Sequence, residues 1–409
     1  MASDQKRAVP LFDPQRHESL TETPWREFEA RAAIQRIVAD AHAAFSDEGL
    51  WPIHPIDRSP ERAATLKPIY YGAAGVVWTL LHLQRAGMAE VGRDYLPAIA
   101  TLLERHRADS LRLTGAPILA YPTGDAGIAL LYWTMAPSRA IENELRRVIE
   151  GNADHPSLGF GWGGPGSMLA ALFMFERTHE PQWRTLYLQL FERVWGCWNY
   201  DAAFGCHLWT QDLYGIREQR IGGLHGMAGT VSCMLRGRDL LSAERRSELE
   251  RRAAEALAAT AVRDGALANW PLAADADNRP GILWLQHCSG APGMVNCLAP
   301  LPRDPHVDAL LMAAGELTWR AGPTTKLPSL CHGASGSGYA FLKLHARTGD
   351  ERWLERARRF AMHGIEQAER GVRQHGQRKF SLWTGDLGLA AFLCDCIRVV
   401  DRFPTLDTF

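Results

Sequence analysis

Apolar residues fall in short, nearly unbroken blocks along this chain, and each block follows the same small signature. VVWTLLHL follows Gly75, SMLAALFMF follows Gly166 and LAAFLCDCI follows Gly388. Such blocks lack a strong polar face, which predicts helices buried nearly all round. Between them lie stretches with charges at helical spacing and one apolar face, at 182–198, 239–262 and 350–370. Residues 25–45 read as a first helix of this amphipathic kind.

The signature is Gly-x-x-Gly. It recurs at Gly72–Gly75, Gly124–Gly127, Gly163–Gly166, Gly226–Gly229, Gly290–Gly293, Gly333–Gly336 and Gly385–Gly388. With 37 glycines in the chain some matches arise by chance, but a recurring apolar follower does not. Each repeat is a polar outer helix, a glycine turn and an apolar inner helix. Such pairs, repeated seven times, predict an all-α fold, an (α/α)7 double-layer toroid with its glycine turns at one end. The glycines are expected to supply positive φ and close backbone approach. Residues 1–24 hold three prolines and no helical period, which predicts an extended arm; residues 25–409 then form a single barrel domain.

Composition narrows the function. The chain is 46% hydrophobic and 22% charged with a net charge of −1, so no global field draws it to nucleic acid or to anionic lipid. The opening residues are polar, and no apolar run approaches the roughly 18 residues that span a bilayer. A cytoplasmic protein without a transmembrane segment is expected, its eight cysteines thiols or ligands. Gly159–Gly164 formally fits G-x-G-x-x-G but lacks a βαβ setting, and no P-loop, H-E-x-x-H or G-x-S-x-G motif occurs. Residues 371–379 read as a solvated basic loop.

Candidate chemistry sits at the turns. Cys288 precedes the fifth turn, and Cys331 and His332 precede the sixth. A toroid brings these turns together, and two thiolates with one imidazole suit Zn²⁺. Three protein ligands leave a fourth position open, the pattern of a catalytic zinc. The plain alternative is two buried free cysteines and a core histidine. His225 precedes the fourth turn, as a fourth ligand or as a facing acid/base. His287 is a weaker ligand candidate. Cys233 and Cys297 read as core, and Cys197, Cys206, Cys394 and Cys396 as structural.

These residues resemble the lanthionine synthetase C-like family, over nearly the whole chain. The likeness is nearest to its stand-alone LanC-like branch, through Tyr71–Gly75, Gly124–Gly127, His225–Gly229, Leu330–Gly333 and Thr348-Gly349-Asp350. The resemblance implies zinc at Cys288, Cys331 and His332, and addition of a thiol to the β-carbon of dehydroalanine or dehydrobutyrine in a peptide or protein. It implies that His225 protonates Cα, and that the thiol is glutathione, contacted by Lys326, by Arg7 in Arg7-Ala8-Val9-Pro10, and by a third cation for which Arg373 is nearest. The sequence departs from the family at His287, Trp284 and Ser289, where Trp, Arg and Tyr are common. An acid usual before the third turn is also missing; Asp154 is the nearest, and Asp125 at the second turn is the substitute expected.

Competing readings are a lanthipeptide cyclase acting on a dehydrated precursor peptide, and a non-catalytic zinc-stabilised scaffold that binds peptide or glutathione. A carbohydrate-active barrel would need paired acids across the mouth, for which Asp125 and Asp386 are the candidates.

Overall fold

The structure, a computed structural model, describes residues 10–58, 66–274 and 283–409. Helices alternate between two layers. The outer layer is α1 (Glu27–Ala44), α3 (Leu96–Thr114), α5 (Arg139–Gly151), α7 (Pro181–Gly196), α9 (Ala243–Ala259), α11 (Pro305–Ala321) and α13 (Glu351–His375). The inner layer is α2 (Ala73–Arg85), α4 (Asp125–Met135), α6 (Gly164–Thr178), α8 (Met227–Arg236), α10 (Ala291–Leu298), α12 (Ala334–Thr348) and α14 (Asp386–Arg398). Each inner helix packs on the next, and α14 packs on α2, so the ring is closed. The first outer helix, α1, covers α14 and completes the outer layer at this seam.

Residue pattern explains which layer each helix joins. Along α12 every residue from Ala334 to Leu344 is buried. Along α13 the buried positions include Trp353, Ala357, Phe360, Gly364, Ala368 and Gly371, one stripe at spacings of three and four. Thr348-Gly349-Asp350 joins the two. Gly349 ends α12 in the left-handed region at φ 71, and the Asp350 side chain accepts from the Arg352 N–H to cap α13.

The glycines serve packing more than φ. The first glycine of each turn has φ between −150 and −101, except Gly290 at +107. Close approach is universal. A Cβ on the second glycine of any turn would lie 1.9–2.4 Å from the carbonyl oxygen six residues earlier. The expectation of positive φ therefore holds at one turn only.

Two further features depart from the sequence reading. The long intervals before the fourth and fifth turns hold short antiparallel strands, at 199–220 and 262–274. The supposed basic loop is half helix, and its remaining cations are buried. Arg378 pairs with Asp40 and Glu369 (2.5 and 2.9 Å), and Lys379 pairs with Asp57 (2.7 Å).

The lumen is filled. Residues 401–409 fold back into it, with Phe403 stacked on His287 at 4.4 Å. The Trp383 indole N–H donates to Thr405 Oγ1 (2.9 Å), and the Lys343 ammonium donates to Asp407 Oδ2 (2.7 Å). At the outer wall, residues 16–18 hydrogen-bond to residues 322–325, and Glu18 accepts from His363, Gln367 and Arg370 of α13.

Candidate metal centre

The seven turns place equivalent residues in equivalent directions. Counting back from the first glycine, the second residue is Tyr70, Pro122, Gly161, Leu224, Cys288, Cys331 or Trp383. Hydrogen bonds link these residues around most of a ring, from Cys288 to Leu224. The Cys288 N–H donates to Cys331 O (3.2 Å), Cys331 N–H to Trp383 O (2.8 Å), Trp383 N–H to Tyr70 O (3.0 Å) and Tyr70 N–H to Pro122 O (2.7 Å). Pro122 has no N–H, and the Thr123 hydroxyl instead donates to Gly161 O (2.8 Å). Gly161 N–H donates to Leu224 O (2.9 Å).

This ring sets the candidate ligands. Cys288 Sγ, Cys331 Sγ and a ring nitrogen of His332 all lie within 4.8 Å of one another. Cys288 Sγ is 3.7 Å from His332 Nδ1 and receives a hydrogen bond from Gln286 Nε2 at 3.1 Å. The Tyr70 hydroxyl donates to Cys331 Sγ at 2.7 Å. The two thiols share their acidity unequally. Cys288 is held below the usual thiol range by a hydrogen bond from Cys331, with His332 beside it, while burial pushes Cys331 up. Two sulfurs, that of Cys331 buried and that of Cys288 partly so, converge with an imidazole and fit Zn²⁺ by donor chemistry. Among the described residues, no fourth His, Cys, Asp or Glu joins the cluster within that distance.

Position explains the other histidines. His225 and His332 are both the residue just before the first glycine, as are Tyr71 and Trp162. His225 Nδ1 is buried without a hydrogen-bond partner. Burial lowers its pKa to about 4, Arg220 and His332 push the same way and Cys288 opposes them, so its ring is neutral at pH 7. His287 is the third residue before its glycine, where the other turns carry Ile69, Tyr121, Phe160, Gly223, Leu330 and Leu382. That position faces the packed lumen, and His287 lies there between Phe403 and Trp383. It is no ligand.

Asp125 faces the other way. Its oxygens accept from His106 Nδ1 and Arg107 Nε, both at 2.7 Å, on the outer helix α3. Asp386 is its counterpart in the seventh turn, 3.6 Å from Arg378. These acids serve the wall, which removes both the substitute acid and the paired acids of a carbohydrate site. Asp154 pairs with Arg193 on the exterior. Arg373 is exposed near the end of α13, in helix instead of loop, and Arg7 lies outside the described residues. Lys326 does sit near the cluster, with its ammonium 5.2 Å over the Trp284 ring and its charge opposing the rise at Cys331. Arg16 stacks on the same ring at 3.9 Å.

Sequence reasoning missed Tyr70 and Arg16. The signal for Tyr70 was present: it stands two residues before a glycine, as Cys288 and Cys331 do. A cavity of about 350 Å³ opens beside it, lined by Tyr70, Tyr71, Trp162, Tyr214, His106 and Lys67, among others.

Known proteins share this plan. The family described as "Lanthionine synthetase C-like protein" matches residues 66–408. A Danio rerio protein named "Glutathione S-transferase LANCL1" is 28% identical over 195 residues, 47% of this chain and 46% of that protein. An Arabidopsis thaliana protein named "LanC-like protein GCL1" is 33% identical over 128 residues, 29% of each. The matched segments thus span less than half the length of these curated relatives. The solved structure of a "Nisin cyclase" superposes with a TM-score of 0.64 at 14% identity, over 93% of this chain and 98% of that one. No helix among the described residues is long and apolar enough to cross a membrane.

Proposed function

This chain belongs to the lanthionine synthetase C-like family, and on that premise we propose that it adds a thiol, glutathione by preference, across the double bond of a dehydroamino acid in a peptide or protein. The observation that carries the proposal is the convergence of Cys288, Cys331 and His332 at the turn end. These three would hold Zn²⁺, which when bound acidifies a thiol and sharpens its nucleophilicity at neutral pH.

The chain's own residues have distinct tasks. Tyr70 donates to Cys331 Sγ and fixes its orientation. The aromatic cavity beside Tyr70 is apolar enough to seat the electrophile and exclude water. As sulfur bonds to the β-carbon, the C=C π bond breaks and charge moves toward Cα. The thiol proton must reach Cα, and the neutral ring of His225 can take it and return it. Lys326, with Arg16 on the same indole, supplies positive charge for the carboxylates of a free tripeptide thiol. That charge favours glutathione over a cysteine within the substrate peptide, the thiol a cyclase would use. Arg7 is proposed as a further contact.

The test is direct. Zinc-loaded protein is incubated with glutathione and a dehydroalanine peptide, and the thioether is followed by mass spectrometry. Cys331→Ala is expected to lose the metal of the turn-end centre and the thioether while keeping its helical circular dichroism. His225→Asn is expected to keep metal and lose turnover. Full activity in a metal-free protein sinks the proposal. Faster reaction with a peptide carrying its own cysteine, and none with glutathione, moves it to the cyclase reading.

A further inference from the structure

The end of the toroid away from the turns carries a second group of ligand-type side chains. His82 lies in the last turns of α2, and Cys394 and Asp395 lie in the last turns of α14. One ligand atom from each falls within 4.8 Å of the other two. They stand nine or ten residues beyond the first glycines of their turns, which at a helical rise of about 1.5 Å per residue sets them roughly 14 Å along the helices from the turn end. The cluster is therefore distinct from the Cys288 centre. It also straddles the contact between the first and last inner helices, the seam at which the ring closes.

Two of these residues carry an unpaired buried polar atom. Asp395 Oδ1 and His82 Nε2 are both buried without a hydrogen-bond partner. Asp395 is 1% exposed, and its other oxygen accepts from the Tyr339 hydroxyl at 2.7 Å. The His82 ring is fixed by stacking on Trp78, with centroids 4.9 Å apart and planes at 10°. Buried polar atoms without partners are uncommon and costly. Here they belong to residues whose ligand atoms lie within 4.8 Å of one another. Ligand atoms around a tetrahedral zinc lie about 3.4 to 3.8 Å apart, so a small closure satisfies them together.

We infer that His82, Cys394 and Asp395 form a second divalent-metal site that clamps the seam of the toroid. A nitrogen, a sulfur and a carboxylate oxygen select Zn²⁺ or a similar borderline ion over Mg²⁺ or Ca²⁺. Charged neighbours set its strength. Arg85, Arg398 and Arg402 face His82, Arg31 and Arg398 face Cys394, and Arg398, Arg402 and Asp401 face Asp395. The excess of arginine opposes a cation. The seam site therefore binds more weakly than the turn-end site and yields its metal first to a chelator. The ion's role is structural, because it joins the two inner helices that are neighbours in space and furthest apart in sequence.

The test counts metal in the whole protein. Chelated protein is reloaded with excess Zn²⁺, desalted and assayed for zinc per chain and for thermal midpoint. Wild type is expected to hold two ions. His82→Gln and Cys394→Ser are expected to hold one, with a lower midpoint and unchanged thiol addition. The double variant Cys288→Ala/Cys331→Ala is expected to hold one and to show a cobalt–thiolate band when loaded with Co²⁺. Should a seam variant fail to fold, the wild-type count and this band still decide. One ion in the wild type, or none in the double variant, overturns the seam site; loss of thiol addition in the double variant alone bears only on the turn-end centre.

Discussion

The fifth and sixth turns and the second and seventh turns share one backbone and carry opposite chemistry. In all four a carbonyl six residues back packs against the second glycine. In the fifth and sixth, the functional side chains stand one or two residues before the first glycine and face the mouth. In the second and seventh, Asp125 and Asp386 stand one residue after it and face Arg107 on α3 and Arg378 just after α13. Two or three positions of register separate a candidate metal ligand from a wall brace. The sulfurs and His332 lie in the turn ahead of the inner helix and the acids on its first residue, so the two sets leave the backbone in different directions.

Breaking the shared backbone is expected to have the largest effect. Gly336→Ala sets a Cβ 1.9 Å from the Leu330 carbonyl, and no flexible side chain can yield there. A loss on the order of 4 kcal/mol or more is expected, read by chemical denaturation, with the metal lost as well. Asp125→Ala should cost less, about 3 kcal/mol, because it removes the buried carboxylate from His106 and one of the two carboxylates of Arg107, yet leave zinc content unchanged. Cys331→Ala is the converse, with the turn-end metal lost and the helical signal kept. Equal metal loss in both variants would erase the distinction between mouth and wall.

Tyr70→Phe sharpens the comparison within the mouth. Its hydroxyl is the donor to Cys331 Sγ, and the backbone ring survives its removal. Zinc affinity should fall about tenfold, measured by competition with a chromogenic chelator.

The smallest effect lies at the outer wall. Burial pushes the Glu18 carboxyl up, but hydrogen bonds from Gln367, His363 and Arg370 outweigh it and hold it below the usual range. Burial also lowers His363. Both groups have folded pKa values below their unfolded ones, so their stabilisation is full above the unfolded values and is lost as pH falls through the folded ones. Acid should loosen residues 16–18 from α13, and Glu18→Gln should flatten that dependence by under about 1 kcal/mol, since the site is half-exposed. Hydrogen exchange at residues 16–25 between pH 7 and pH 4 measures it.

Much of this was legible beforehand. The alternation of apolar and amphipathic stretches gave the two layers, because burial on every face and burial on one face leave different residue periods. The triad Cys288, Cys331 and His332 was legible because its ligands share positions relative to repeated glycines. Asp125 was misread for a related reason: it also stands at a turn, but its offset from the glycine, which decides its direction, was not weighed. The strands at 199–220 were hidden because runs of three to five residues carry little periodicity. The lumen-filling segment 401–409 has no local signature, since its partners Trp383, His287 and Tyr121 lie in three different repeats.

The sequence by itself determined the number of repeats, the layer each helix joins and the two turns that carry sulfur. Those are local properties: a helix's burial shows in its own residues, and a glycine's crowding arises within six residues of chain. Only the tertiary structure decided which side chains meet. Closure brings α14 against α2, sets the Tyr70 hydroxyl on a cysteine 261 residues away, and brings His82 to Cys394 and Asp395. Those contacts depend on the curvature summed over all seven helix pairs, and no single stretch of sequence carries that sum.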